Sequence, residues 1–195
     1  MEIISERKSQ IAEKATALFR EKGYAATSMR DLASAIGIEA ASLYSHVRSK
    51  EELLHRVCFG MAEAFFHARD QVNSLQLPAP IKLRLAIEKH VEVVTSDVNA
   101  SAVFLHEWRH LSEPDLSIFI SMRHEYEAYL TQIIREGSAA GQLHVPNEKL
   151  LVLSLLSSLN WLYDWYKPNG KLRPHEIANQ LADQLLKGIE ILKTI

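Results

Sequence analysis

One cysteine in 195 residues, Cys58, leaves no partner for a disulfide within the chain. That scarcity fits a reducing compartment, and a cytoplasmic protein is expected. Long apolar runs are also missing. None approaches the roughly eighteen residues a membrane helix needs, so no membrane partner is expected. The start, MEIISERKSQIAEK, is charged and lacks the apolar core of a secretory signal. Sustained period-two alternation is absent, and no hairpin turn sits between alternating runs, so nothing reads as a strand. No G-x-S-x-G, P-loop or Gly-rich dinucleotide turn occurs. A strong charge of one sign is lacking as well: the net is −2. Residues 1–57 carry nine Lys/Arg against eight Asp/Glu, and the remainder thirteen against sixteen. Wholesale coating of nucleic acid is thereby excluded. Any DNA affinity must rest on placed contacts and dimerisation, with modest counterion release.

What is present is helical periodicity. Nine helices are expected, near 5–22, 28–35, 39–45, 49–72, 81–96, 100–111, 114 to 137 or 141, 146–166 and 174–192. Ser49 followed by Glu52 is a capping box for the long fourth helix. NSLQLPAP, residues 73–80, reads as a linker, and Ser112-Glu113-Pro114 as the start of the seventh helix. The eighth and ninth helices are apolar on more than one face, which implies burial on more than one side. In a chain this short, they are expected to form a four-helix seam between two copies. Leu155, Leu159, Ile177, Leu181, Leu185 and Gly188 are the candidate seam residues.

The segment TSMRDLASAIGIEAASLYSHVRSK, Thr27 to Lys50, is the most informative. Ser28 is a good N-cap. Leu32, Ala33 and Ile36 follow at helical spacing and face inward. Gly37 supplies the positive φ that ends the helix. Ile38 plugs the corner, and Glu39 to Ser45 forms a second short helix. This is a helix-turn-helix, whose second helix enters the DNA major groove.

RDLASAIGI and SLYSHVRSKEELL, with the preceding LFREKGYAATS, resemble the DNA-binding signature of the TetR family of bacterial repressors. The likeness runs from about Ser9 to Leu54. It implies an all-α, homodimeric regulator of operator DNA. By that resemblance Tyr44, His46 and Lys50 occupy positions that hold the DNA backbone. Thr27 and Ser28, at a helix N-terminus, suit a phosphate. Base reading is expected of Ala40, Ala41 and Ser42, with Glu39 at the rim and Ser45 beside them; Arg30 can reach a base or a phosphate. Glu39 departs from the family's usual small hydroxyl residue. A carboxylate there repels phosphates unless it accepts from a cytosine amino group; otherwise it is a favourable charge on a helix N-terminus.

Aromatic and sulphur side chains are dense in the later helices. Met61, Phe65, Phe104, Trp108, Met122, Tyr126, Trp161 and Trp165 suit either plain core or an apolar cavity, with Arg109 and Arg123 at its mouth. EWRHLSEPDLSIFISMRHEYE and NWLYDWYKPNGKLRPHEIANQLADQLLKGI resemble the TetR branch that regulates fatty-acid, aromatic-acid and steroid-ring breakdown. Those regulators sense acyl-coenzyme A thioesters. The resemblance implies such an effector, with Arg109, Arg123 and Lys167 meeting its phosphates. The competing assignment pairs Arg109 with Glu113 and Arg123 with Glu127, each four residues on.

His106-Glu107-Trp108-Arg109-His110 matches H-E-x-x-H, with both histidines on one face of an expected helix. A metal-dependent hydrolase needs a third protein ligand, and none lies at a recognised spacing. The chain is therefore read as no enzyme, with no metal and no bound cofactor. Cys58 is read as a buried small apolar residue. The expected division is a DNA-binding domain over residues 1–50 and an effector-binding and dimerisation domain over 51–195. The expected function is a ligand-released repressor; an activator on the same fold is the alternative.

Overall fold

The computed structural model describes the backbone of residues 2–187 and the side chains of residues 7–187. Its elements are all helical: α1 (Glu2–Lys22), α2 (Met29–Ile36), α3 (Ala40–Tyr44), α4 (Lys50–Asn73), α5 (Ala79–Ser96), α6 (Val98–His106), a 3₁₀ turn (Trp108–His110), α7 (Asp115–Ala139), α8 (Glu148–Asn160), α9 (Leu162–Trp165) and α10 (Pro174–Leu186). They form two compact units. One holds the residues up to Ala62 together with Asn99–Ile120; the other holds Glu63–Val98 and the described residues from Ser121 onward. No described helix is long and apolar enough to cross a membrane.

In the first unit, Ile11, Ala15 and Phe19 repeat every four residues along α1 and are at most 1 % exposed. With Leu32, Leu43, Val47, Leu53 and Leu54 they supply its core. Burying a side chain such as Phe19 stabilises by about 2–3 kcal/mol. Phe119, at the start of α7, is met edge-on by Phe104 at 5.4 Å and by Phe59 at 5.9 Å. The expected sixth helix stops early: α6 ends at His106, and the chain tightens into the 3₁₀ turn. Glu113 caps α7, its carboxylate accepting from the Ser117 amide at 3.3 Å and the Ser117 hydroxyl at 2.9 Å.

The second unit is organised around α5. Its buried face, Leu83, Ala86, Ile87, Val91 and Val94, packs on Ile177, Ala178, Ala182 and Leu186 of α10. The alanines let the two helices approach closely. Arg84 and Asp183 pair across their rim at 2.7 Å, where water and salt screen the interaction. Of the two expected ends of α7, Gly137 lies inside the helix and Gly141, at φ 64°, just beyond it. A Cβ at Gly137 would stand 2.6 Å from Leu143 Cδ1 and 2.7 Å from Ala79 Cβ, so any side chain would force these neighbours to shift. The expected eighth helix is broken at Trp161 into α8 and α9.

Burial corrects the expected seam. Leu155, Leu159 and Ile177 are 1–3 % exposed, so they serve the chain's own core and offer little to a second copy. Leu181 and Leu185 are half-buried, and Gly188 lies outside the described residues. The exposed large apolar side chains of this region are Leu150, Leu153, Trp161, Trp165 and Leu172.

Candidate nucleic-acid interface and effector region

The helix-turn-helix is built as its residues dictate. Ser28 is extended, and its hydroxyl accepts from the Asp31 amide at 3.2 Å. The Asp31 carboxylate accepts from the Ser28 amide at 2.8 Å, completing a capping box. Those bonds hold the Asp31 carboxyl below the usual carboxylate range. Gly37 is left-handed, at φ 72°. Its amide donates to Ser34, and that of Ile38 to Ala33. This pair of bonds is a Schellman close, and it fixes the angle at which α3 leaves. Leu43, fully buried, anchors α3 to the core.

The expected backbone contacts divide in two. Ser28, Arg30, Glu39, Ala41, Ser42, Tyr44 and Ser45 are exposed, while Ala40 and His46 are half-exposed. The Tyr44 ring is 55 % exposed, so it is not core. Thr27 and Lys50 are otherwise engaged. Thr27 is fully buried, and its hydroxyl donates to the Gly23 carbonyl at 2.8 Å. It cannot present that hydroxyl to a phosphate. Lys50 Nζ donates to the carbonyls of Tyr24 and Thr27 at 2.8 and 2.9 Å and lies 4.1 Å over the Tyr24 ring. Its work is to hold the start of α4 against the turn before α2.

Beside Tyr44, Ser45 and His46 lies a depression of about 540 Å³, also lined by Lys8, Arg48, Ser49 and Glu52. Lys8 and Arg48 are the two cations of this lining, and sequence reasoning did not single them out. Arg48 stands two residues after His46, and that was the only signal available. The Ser49 hydroxyl accepts from the Glu52 amide at 3.2 Å, but the Glu52 carboxylate reaches past Ser49 to the Arg48 amide at 2.8 Å. Arg48 is exposed. The bonds that begin α4 thus hold its backbone beside the depression.

The expected effector residues fall in both units. Met61, Phe104, Trp108 and Arg109 belong to the first; Phe65, Met122, Arg123, Tyr126, Trp161, Trp165 and Lys167 belong to the second. In the first, Trp108 lies 5.9 Å from Phe119. The Arg109 guanidinium lies 4.4 Å over the Trp108 ring, and the Glu113 carboxylate goes to Ser117. In the second, Phe65 packs against His90 at 4.7 Å and against Tyr126 at 5.5 Å. Trp161 and Trp165, 61 % and 41 % exposed, stand at the surface of the chain.

His90, which sequence reasoning did not place in the effector region, is the centre of this arrangement. Its Nδ1 is 3.1 Å from the Tyr126 hydroxyl and its Nε2 3.1 Å from Asn160 Oδ1. Asn160 Oδ1 can only accept, so Nε2 carries the proton and Nδ1 accepts from Tyr126. Burial lowers the His90 pKa from 6.5 to about 4, against the smaller opposing pull of Asn160. The imidazole is therefore neutral, a polar relay inside an apolar interior. The sequence signal was a histidine at the inward spacing of α5, between Ile87 and Val94.

The H-E-x-x-H geometry fails. His106 closes α6, and His110 lies in the 3₁₀ turn, so no single helical face carries both. His110 stacks on Tyr24 at 5.2 Å and lies 3.5 Å from Glu107. Among the described residues no group of three potential ligands converges. Burial, and secondarily Glu107, push the Cys58 thiol up to about 12. It stays protonated and is a poor redox centre.

Comparison with known proteins gives the same picture. Residues 11–57 match the family described as bacterial regulatory proteins of the tetR family, and residues 77–189 match the tetracyclin repressor-like C-terminal domain. The transcriptional repressor KstR2 of Rhodococcus jostii is 25 % identical over 187 residues, 95 % of this chain and 92 % of its own. The solved structure of the TetR family regulator PfmR from Thermus thermophilus is 32 % identical, with a TM-score of 0.80 over 91 % of this chain and 97 % of that one. The structure of AibR with isovaleryl coenzyme A and operator DNA is 25 % identical, with a TM-score of 0.79 over 92 % and 98 %.

Proposed function

This chain belongs to the TetR family of bacterial regulatory proteins, and we propose that it is a homodimeric repressor released from its operator by an acyl-coenzyme A thioester. Its place in that family makes it a DNA-binding transcriptional regulator and not an enzyme. The observation that carries the effector reading is the likeness to AibR, whose structure holds both isovaleryl coenzyme A and operator DNA. The likeness to a repressor, KstR2, supports the sign of regulation.

In this reading residues 1–50 bind DNA and residues 51–195 bind the effector and the second copy. Tyr44, His46, Arg48 and Lys8 hold phosphates, while Ala40, Ala41 and Ser42 face the bases. Phosphate contacts set register; base contacts set sequence. The dimer places its two recognition helices about 34–36 Å apart, or a multiple, to meet successive major grooves. Apolar Phe65, Met122 and Tyr126 receive the acyl part. Arg123 and Lys167 meet the phosphates, which must stay near solvent because burying them unpaired is prohibitive. The effector releases DNA by favouring the dimer state in which the helices no longer fit, to the extent of its differential affinity for the two states.

The test is a thermal-shift screen against acyl-coenzyme A thioesters, with coenzyme A and free acids as controls, followed by operator mobility shifts. Binding to the native state adds about 2.7 kcal/mol at a hundredfold excess over the dissociation constant, a shift of several degrees. Arg123→Ala should weaken that response and spare operator affinity. A broad panel without any shift, while a free acid or organic cation releases DNA, would refute the thioester.

A further inference from the structure

One side chain on the DNA-facing surface carries the wrong charge for it. Glu39 is the N-cap residue of α3, with extended backbone at φ −70° and ψ 146°. Serine, threonine, aspartate or asparagine would cap there by accepting from a first-turn amide. Glu39 makes no such bond. It is exposed, and its carboxylate enters no hydrogen bond or ion pair among the described residues. Capping and pairing, two structural uses of an acid at this place, are therefore not taken up. The third, a favourable charge on the first turn of α3, is weak and does not need the carboxylate to face DNA; against it stands an anion held toward a polyanion.

That arrangement is unfavourable with phosphates and favourable with only one kind of base edge. The major groove offers two amino donors, cytosine N4 and adenine N6. Adenine sets its N7 acceptor beside N6, which repels a carboxylate and suits an amide. Cytosine presents its donor alone, and glutamate can accept from it. The neighbours do not compete for this role: Ala40 and Ala41 carry only methyl groups, which fit a thymine methyl. Leu43, fully buried, holds α3 in place, so Glu39 is aimed from a fixed base.

We infer that Glu39 is a specificity-determining residue whose carboxylate accepts the N4 amino group of one cytosine at a fixed position in each operator half-site. The inference rests on the operator-binding reading above. It has a signature that a structural role lacks. Removing the carboxylate should cost affinity for the operator while raising affinity for unrelated DNA, because a phosphate-repelling charge has gone. A lost cap or a damaged fold would lower both.

Selection from a randomised duplex pool with the full-length protein, Glu39→Ala and Glu39→Gln tests this. Binding of single-base operator variants and of an unrelated duplex is then measured by fluorescence anisotropy. The wild type should prefer cytosine at one position per half-site by roughly tenfold. Glu39→Ala should abolish that preference, leave the others intact and bind the unrelated duplex a few-fold more tightly. Glu39→Gln should move the preference toward adenine. An unchanged cytosine preference in Glu39→Ala, or a parallel loss on both duplexes, overturns the inference while operator binding stands. A wild type that enriches no sequence overturns the operator reading and this inference together.

Discussion

Lys50 and Tyr24 are twenty-six residues apart in sequence and locked together in space. The ammonium sits 4.1 Å over the phenol ring while donating to the Tyr24 carbonyl at 2.8 Å. The same nitrogen reaches the Thr27 carbonyl at 2.9 Å. One side chain thus sets the start of α4 against the turn that precedes α2. The family resemblance implied a phosphate contact for it; the geometry gives it a structural task first.

Lys50→Ala should therefore lower stability by about 1–3 kcal/mol, with operator affinity falling alongside. Lys50→Arg should not fully restore it, since a planar fork cannot replace a compact ammonium over two carbonyls. Arg48→Ala is the contrast: Arg48 is exposed, so melting should be unchanged while the salt slope of DNA binding drops by about one. Melting curves and salt titrations of both variants check this, and a Lys50→Ala protein that melts with the wild type would return Lys50 to the phosphates.

Leu153→Glu or Trp161→Glu should leave a folded chain that no longer dimerises, because both residues are exposed apolar groups on the expected dimer side. Leu155→Glu should instead unfold it, since an unpaired carboxylate would replace a side chain that is 1 % exposed. Light scattering with far-ultraviolet circular dichroism separates the outcomes. A Leu153→Glu/Trp161→Glu double variant that stays dimeric would move the seam elsewhere.

Acid should weaken the second unit through His90. An unfolded histidine takes up its proton below its ordinary 6.5, while native His90 stays neutral down to about 4. Between those values the unfolded state binds more protons. Stability is thus complete above 6.5 and is lost progressively as pH falls toward 4. The loss reaches about 3 kcal/mol. Denaturant melts at pH 7 and pH 4.5 should show it, and His90→Gln should flatten the difference. Equal pH dependence in the variant would mean that other groups are responsible.

What the sequence revealed was local, and what it concealed was long-range. Ser28 and Gly37 mark their helix ends through bonds to residues within five positions, so the helix-turn-helix was legible from its own letters. Lys50 was expected at a phosphate because its partners Tyr24 and Thr27 meet it only once the chain turns back; the Thr27 bond to Gly23 is local, but a threonine side chain does not announce whether it faces the core or the solvent. Periodicity identified α8 as apolar on several faces. It could not say that Leu155 lies inside and Leu153 outside, since both are leucines and the difference is the position of α5. The end of α6 at His106 carried no glycine or proline to announce it, so the H-E-x-x-H spacing looked helical when it was not. His90 was visible as a histidine on an apolar face, but its partners Tyr126 and Asn160 come from two other helices.

The missing room at Gly137 has a genetic consequence. A single methyl there would be forced against Leu143 and Ala79, with a penalty of about 1–3 kcal/mol. That is too little to prevent folding in the cool and enough to matter near the melting temperature. Because Gly137 stands apart from the residues assigned to DNA and effector, the protein would keep its affinities until it unfolds. A cell carrying Gly137→Ala would control its target genes normally at low temperature and lose that control on warming, as a heat-sensitive allele does.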